Sequence, residues 1–169
     1  QFQENIAFGF APFFNNSRPR YDNEVTAVFA DVTYSMSEDI RLGLGVRDTT
    51  EKKVHSTFAA GFMPFCGGAE PFVQKWEDSS TTMRASAEYD TSENSMMYIS
   101  YSEGFKSGGA NNGDCSPPYN PENLDAAEIG FKASLADGST TLRLAAFQYD
   151  YSDFQIMQVK NFAANYLNA

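Results

Sequence analysis

The chain has 169 residues, a net charge of −10, a pI of about 4.4 and a mean hydropathy of −0.42. Such an acidic chain lacks the basic surface that phosphate backbones require, so we expect no nucleic-acid partner. Aromatic residues make up 15% of this hydrophilic sequence, which favours strands that are apolar on one side only. No apolar run approaches the ~20 residues of a membrane helix, but membrane-crossing strands stay open.

Alternation of apolar and polar residues along the chain predicts six β-strands. The first stretch, QFQENIAFGFAPFF, resembles the end of an earlier strand, so we expect the chain to begin inside a longer protein. A polar loop, NNSRPRYDN, follows it, and the closing NFAANYLNA is expected to be another loop. The predicted strands are residues 24–34, 40–48, 81–89, 95–105, 125–135 and 140–156.

The connections between these strands alternate in length. Short polar turns are predicted at 35–39, 90–94 and 136–139, and long loops at 49–80 and 106–124. This order predicts an all-β, antiparallel up-and-down meander with its tight turns at one end and its long loops at the other.

One face of this meander is predicted to contact lipid. The charged residues within the strands share a parity with small and polar residues, Tyr34 and Tyr89 lie where an aromatic girdle would lie, and the strands reach the 9–11 residues of a bilayer crossing. A soluble sandwich would show the same alternation with its charges in water. The predicted lipid-facing residues are Val28, Val32, Leu42, Leu44, Val46, Met83, Ala85, Met97, Ile99, Ile129, Phe131, Leu142 and Leu144.

The two cysteines, Cys66 and Cys115, each lie in a loop rich in Gly and Pro. Only one pairing exists, and an oxidising compartment would permit this disulfide between two adjacent outer loops. Two free thiols are the alternative. Neither cysteine has a His or a second Cys at ligand spacing, so no metal site is expected.

Three stretches together resemble the barrel of TonB-dependent outer-membrane receptors: EVTAVFADVTYSMSEDIRLGLGVRDTTEKK, YISYSEGFKSGGANNG and NPENLDAAEIGFKASLADGSTTLRLAAFQYDYSDFQIMQV. The resemblance implies a partial transmembrane β-barrel, a fragment of a barrel of about 22 strands. Residues 1–169 would form one barrel segment, with the plug domain and the closing strands outside it. It further implies a Gram-negative outer membrane, a periplasmic TonB partner and a small-molecule or metal-chelate ligand.

Catalysis finds little support in this sequence. The single histidine, His55, has no Ser, Cys or paired acid at triad spacing, so we expect no catalytic residue and no cofactor. Exposed aromatic residues in long loops often mark binding sites, although such rings also pack loops together. The ligand-binding candidates are Phe62, Phe65, Trp76, Phe105 and Tyr119.

The sequence therefore predicts part of a non-enzymatic receptor that imports a scarce nutrient of the siderophore-iron, cobalamin or carbohydrate class. Two alternatives stay open. A passive outer-membrane porin would share the strands without a plug, and a secreted carbohydrate-binding β-sandwich would place Trp76 and the loop aromatics on a glycan.

Overall fold

The computed structural model describes the backbone of residues 2–3, 6–10, 13–60, 72–111, 117–135, 138–160 and 163–169. Side chains are described within residues 20–56, 73–111, 117–135, 138–159 and 165–169. In this part of the chain all regular structure is β-strand. The strands are β1 (Phe2–Gln3), β2 (Ile6–Phe10), β3 (Phe13–Ser35), β4 (Ile40–Ala60), β5 (Phe72–Ser92), β6 (Ser95–Lys106), β7 (Glu122–Leu135), β8 (Thr140–Ser152), β9 (Gln155–Lys160) and β10 (Ala163–Asn168).

The main sheet is the antiparallel meander that the sequence predicts. Strands β3 to β8 pair in chain order, and the short β1 and β2 both pair with β3. Tight connections join β3 to β4, β5 to β6 and β7 to β8, all at one end of the sheet. A separate two-stranded sheet joins β9 and β10.

The strands are longer than the sequence predicts, and this is a correction to two predicted loops. Most of the predicted loop 49–80 is strand, because β4 continues to Ala60 and β5 starts at Phe72. The predicted loop before residue 24 is also strand, because β3 starts at Phe13. At 21 residues, β4 has about twice the 9–11 residues that a bilayer crossing needs.

The predicted strand 140–156 is wrong at its end. β8 stops at Ser152, and Asp153 adopts a left-handed conformation with φ of 54° that turns the chain. Asp is one of the few residues that adopt this conformation readily. Gln155 then begins β9, which pairs with β10, so the predicted C-terminal loop is largely strand as well.

The register places the apolar residues of six strands on one face, which we call the apolar face. Leu44 pairs with Val32 and with Ala85, and Ile99 pairs with Ala87 and with Ile129. All the predicted lipid-facing residues lie on this face, and all except Phe131, which is half-buried, are exposed. The opposite face, which we call the polar face, carries the predicted strand charges.

The apolar face ends abruptly at its side away from the tight turns. On the same face, the first position beyond the apolar residues of each strand from β4 to β8 is an acidic residue or a threonine. At this border Thr81 donates a hydrogen bond of 2.8 Å to Asp48. The band between the tight turns and this border spans about nine residues in each strand, as a tilted bilayer crossing requires. The border residues are Asp48, Thr81, Glu103, Asp125 and Asp150.

The sheet has no sandwich core in the part of the chain that the structure describes. Ala133 is the buried hydrophobic residue there, at 6% exposure, whereas Val28 and Leu44 are 73% and 66% exposed. A soluble β-sandwich would seal these residues against a second sheet, and the described residues form no such packing. Within the described residues, no helix is long and apolar enough to cross a membrane.

The assignment of the two faces predicts that substitution by Arg is destabilising at one position of β6 and tolerated at the next. In the full-length protein, Ile99→Arg should destabilise the folded barrel by about 2–4 kcal/mol, because it places a charge near the bilayer midplane. Ser100→Arg is the matched control, since Ser100 lies on the polar face opposite Glu128. The measurement is the folded fraction in lipid vesicles against urea; equal losses in both variants would contradict the assignment of the faces.

Candidate functional site

The polar face carries ion pairs that tie β3, β4 and β5 together. Arg41 makes a two-pronged contact with Asp90, with one hydrogen bond of 2.8 Å, and a 3.0 Å hydrogen bond to Glu88. Arg84 of β5 reaches across β4 to Asp31 of β3, with a hydrogen bond of 2.8 Å from Nε.

Gly45 of β4 lies directly beneath the Arg84–Asp31 ion pair. A Cβ at this position would come within 2.8 Å of Arg84 and 2.6 Å of the Asp31 carboxylate. A residue without a side chain is therefore needed for the pair to span three strands.

Aromatic side chains line the polar face of β8, where the sequence analysis proposed none. Phe147, Tyr149 and Tyr151 follow one another at alternate positions, opposite Glu128, Ala126 and Leu124 of β7. Phe147 and Tyr149 stack with ring centroids 4.9 Å apart, and all three are about half exposed or more. We call these three residues the aromatic ladder.

Beyond the lipid border, the chain around residues 107–111 folds onto the polar face of β4 and β5. Lys53 of β4 donates hydrogen bonds to the Ser107 hydroxyl and, at 2.9 Å, to the Gly108 carbonyl. Trp76 of β5 packs on Gly108, where a Cβ would lie 2.7 Å from its ring and against the Tyr119 carbonyl. The loop thus fits closely only because Gly108 has no side chain.

Amide side chains hold this loop against the β9–β10 hairpin. Asn111 donates to the Tyr166 carbonyl at 2.8 Å and accepts from the Tyr166 amide at 2.6 Å. Gln155 donates to the carbonyls of Ser107 and Asn120 at 3.1 and 3.0 Å. Asn168 also donates to the Asn120 carbonyl, so the loop and the hairpin form one hydrogen-bonded unit.

A cavity of about 470 Å³ opens on the polar face beside this unit. Three cations and one acid line it, together with four Ser and Thr residues, two aromatic residues and a glutamine. Its positive lining contrasts with the net charge of −10 of the chain. The lining residues are Arg47, Lys53, Lys106, Glu51, Thr49, Ser80, Thr82, Ser107, Phe105, Tyr119 and Gln155.

The charges of the cavity are only partly neutralised. Lys53 lies 3.4 Å from Glu51, and Asn23 donates to the same carboxylate at 2.9 Å. Arg47 donates to Thr49 at 3.0 Å and has no carboxylate within ion-pair distance among the described side chains. Among the described side chains, the one ion-pair contact of Lys106 is a long one, 3.9 Å, with Glu122. The cavity therefore offers two cations to an anionic ligand.

The pKa values of three groups at this end of the molecule depart from their ordinary values. Burial alone would raise the pKa of Glu51, but hydrogen bonds from Ser107 and Asn23 and the charge of Lys53 outweigh it and lower the pKa. Burial lowers the pKa of His55, which is 2% exposed and stacks on Tyr21 at 4.5 Å. Burial also raises the pKa of Tyr119.

The structure places three of the five aromatic candidates near this cavity. Phe105 and Tyr119 line it, and Trp76 covers the adjoining loop from strand β5. All three are half-buried by neighbouring residues. Phe62, Phe65, Cys66 and Cys115 lie outside the described residues, so their roles and the disulfide stay predictions.

Sequence reasoning missed the cations and amides of the site. Lys53 and Asn111 lie in stretches where both faces are polar, so their alternation carries no hydrophobic signal, and the sequence places Gln155 only within the predicted strand 140–156. Among the described residues, no group of three or more His, Cys, Asp and Glu side chains is placed to hold a metal ion.

The fold and its two faces define the class of this molecule. An antiparallel meander with a lipid-length apolar band on one side and ion pairs on the other is a section of the wall of a membrane β-barrel. The sequence matches the family described as "TonB dependent receptor-like, beta-barrel" over residues 2–169. The chain belongs to this family, whose barrels lie in the outer membrane of Gram-negative bacteria and which is a class of receptors rather than enzymes.

A solved structure shares the fold. The ferric yersiniabactin uptake receptor FyuA from Yersinia pestis superposes with a TM-score of 0.74 at 22% sequence identity. The match covers 90% of this chain and 24% of FyuA, so the chain spans about a quarter of that receptor. No curated protein sequence matches the chain.

The close fit of Gly108 predicts a sensitive position. In the full-length protein, Gly108→Ala should detach the 107–111 segment from Trp76 and Tyr119, and proteolysis within residues 106–121 should become at least about tenfold faster. Gly104→Ala is the control, since its nearest neighbour is the Leu124 side chain at 3.3 Å. Unchanged proteolysis in Gly108→Ala would contradict the packing.

The buried His55 predicts a pH dependence of the same region. Because its pKa is lowered in the folded state, the unfolded chain binds the extra proton first, and stability falls as the pH drops below about 6.5. The opening equilibrium constant of residues 53–56 in the full-length protein, obtained as the measured amide exchange rate divided by the intrinsic rate at the same pH, should rise by up to about tenfold for each unit that the pH falls between 6.5 and the lowered pKa. His55→Phe, which keeps the ring stack on Tyr21, should remove this dependence; an unchanged profile in that variant would refute the assignment.

Proposed function

We propose that this chain forms part of the barrel wall of an outer-membrane active-transport receptor that imports a scarce nutrient with energy supplied through TonB. The observation that carries this proposal is the family membership of a sheet with a lipid-length apolar band and a polar, cavity-bearing inner face. Its partners are the lipid bilayer, a plug domain and further strands of the complete protein, and TonB through a segment outside this chain.

Among the siderophore-iron, cobalamin and carbohydrate classes, we propose a ferric siderophore as the ligand. Two findings support this choice. FyuA, which shares the fold, is named as an uptake receptor for ferric yersiniabactin. The cavity places Arg47 and Lys106 beside hydroxyl groups and Tyr119, a lining that suits an anionic chelate with ring-shaped parts.

The proposed ligand contacts are on the side of the sheet away from the tight turns. Tyr119 would contact the rings of the chelate, and Arg47 and Lys106 its negative charge. Phe105 shares the outer side of β6 with Glu103, so it remains a candidate from the sequence alone. The aromatic ladder lies on the same face, in the strand that precedes Gln155 of the cavity lining. Phe62, Phe65 and Trp76 remain candidates for further contacts in the outer segments.

A passive porin is the remaining alternative, and the family assignment favours the receptor. The two functions differ in their need for energy. In cells grown under iron limitation, uptake of radiolabelled ferric siderophores by the full-length protein should stop when TonB is deleted or the proton gradient is collapsed. Uptake that continues at the same rate without TonB would favour the porin.

The cavity cations give a test at the level of residues. Arg47→Gln with Lys106→Gln should weaken binding of the ferric siderophore by at least about tenfold, because each variant removes a charged hydrogen-bond donor. Lys52→Gln is the matched control, since Lys52 lies on the opposite side of β4, where it pairs with Glu77 at 3.3 Å. Equal affinity in the double variant and the control would exclude the cavity as the anion site.

A further inference from the structure

Two cations face each other on the polar face of β7 and β8, and no carboxylate among the described side chains pairs with either of them. Lys132 and Arg143 are directly opposite in the strand register, and both are exposed. Like charges at this spacing destabilise a sheet. Elsewhere on the same face, Arg41 and Arg84 each meet a carboxylate. The Lys132–Arg143 pair, which we call the cation pair, is therefore an exception that needs a cause.

The nearby acids are already engaged or do not reach the cation pair. Glu128 accepts a hydrogen bond from Tyr98, whose ring lies 4.6 Å from the Lys132 ammonium, and Asp90 is held by Arg41. Among the described side chains, no carboxylate lies within 4.0 Å of Lys132 or Arg143.

The cation pair lines a recess of about 510 Å³ near the tight turns, where Asp39, Asp90 and Glu93 also line the wall without reaching either cation. This recess and the cavity beside the 107–111 segment lie at opposite ends of the polar face. The recess is large enough to admit side chains of another segment. Its position on the polar face keeps it away from lipid. Two adjacent donors of this kind suit one carboxylate bound between them.

We propose that the cation pair binds an acidic side chain of the polypeptide that fills the barrel in the complete protein. This inference rests on the proposed function, because it requires a segment from outside a chain that spans about a quarter of FyuA. A transient ligand would leave the two charges unpaired between transport events, whereas a resident acidic side chain relieves their repulsion permanently. The cation pair would then fix the plug against this part of the wall.

Zero-length cross-linking of the full-length receptor in outer-membrane vesicles tests the contact. A carbodiimide joins an amine to a carboxylate in direct contact as an amide, and mass spectrometry identifies the two peptides. We expect Lys132 to couple to an Asp or Glu outside residues 1–169. Lys52 and Glu77, 3.3 Å apart, supply the internal control for the reagent.

Two variants sharpen the result. Lys132→Arg keeps the charge but removes the amine, so the external cross-link should disappear while the Lys52–Glu77 product remains. Arg143→Glu supplies a carboxylate opposite Lys132, so the cross-link should move from the external acid to position 143. In the unsubstituted receptor, coupling of Lys132 only to acids within this chain, or no coupling of Lys132 while Lys52 reacts, would overturn the proposal.

The test separates this contact from the proposed function. A full-length protein that imports ferric siderophore but lacks the Lys132 cross-link would refute the contact alone. A protein that gives the cross-link but shows no TonB-dependent uptake would refute the transport function and leave the contact standing.

Discussion

The hydrogen-bonded register between neighbouring strands is the constraint on which the rest of this structure depends. A bilayer core offers no partner for a backbone amide or carbonyl, so each strand that crosses it must satisfy these groups on its neighbours. Side chains alternate between faces with a period of two, and the same register therefore decides which residues meet lipid. Slipping β4 by one residue would move Arg41 and Arg47 to the apolar face, at about 2–4 kcal/mol for a charge near the midplane.

The alternation of apolar and polar residues shows where a strand lies between lipid and water, and it does not show where the strand begins and ends. The predicted strand 40–48 ends at Asp48 because the lipid ends there, whereas the hydrogen-bonded ladder continues to Ala60. Beyond the border both faces are wet, so residues such as Thr50 and Glu51 show no contrast. This is why the order of strands, their antiparallel pairing and the lipid-facing residues could be predicted from sequence, but the length of β3, β4 and β5 could not.

The site was less predictable because its contacts join distant parts of the chain. Lys53 meets Ser107 across 54 residues, and Asn111 meets Tyr166 across 55. Nothing in the local sequence of these polar residues signals a partner. Trp76 and Tyr119 were recognisable as aromatics outside the membrane band, yet their packing against Gly108 and Gly109 depends on how the loop folds back. The aromatic ladder escaped notice because both faces of β8 carry large apolar side chains.

The division of charge across the polar face follows from the way a barrel wall is stabilised. A wall has no core of its own, so its apolar face depends on lipid and its polar face on ion pairs within the sheet or on whatever occupies the bore. Strands β3 to β5 satisfy two of their arginines internally, with Gly45 making room for the pair that spans three strands. In the residues that the structure describes, strands β6 to β8 instead present aromatic rings and the cation pair. Where described charges of the polar face lack a carboxylate within the sheet, as at Arg47 and the cation pair, a partner in the bore lowers the free energy, so we expect partners at these positions rather than over the paired Arg41 and Arg84.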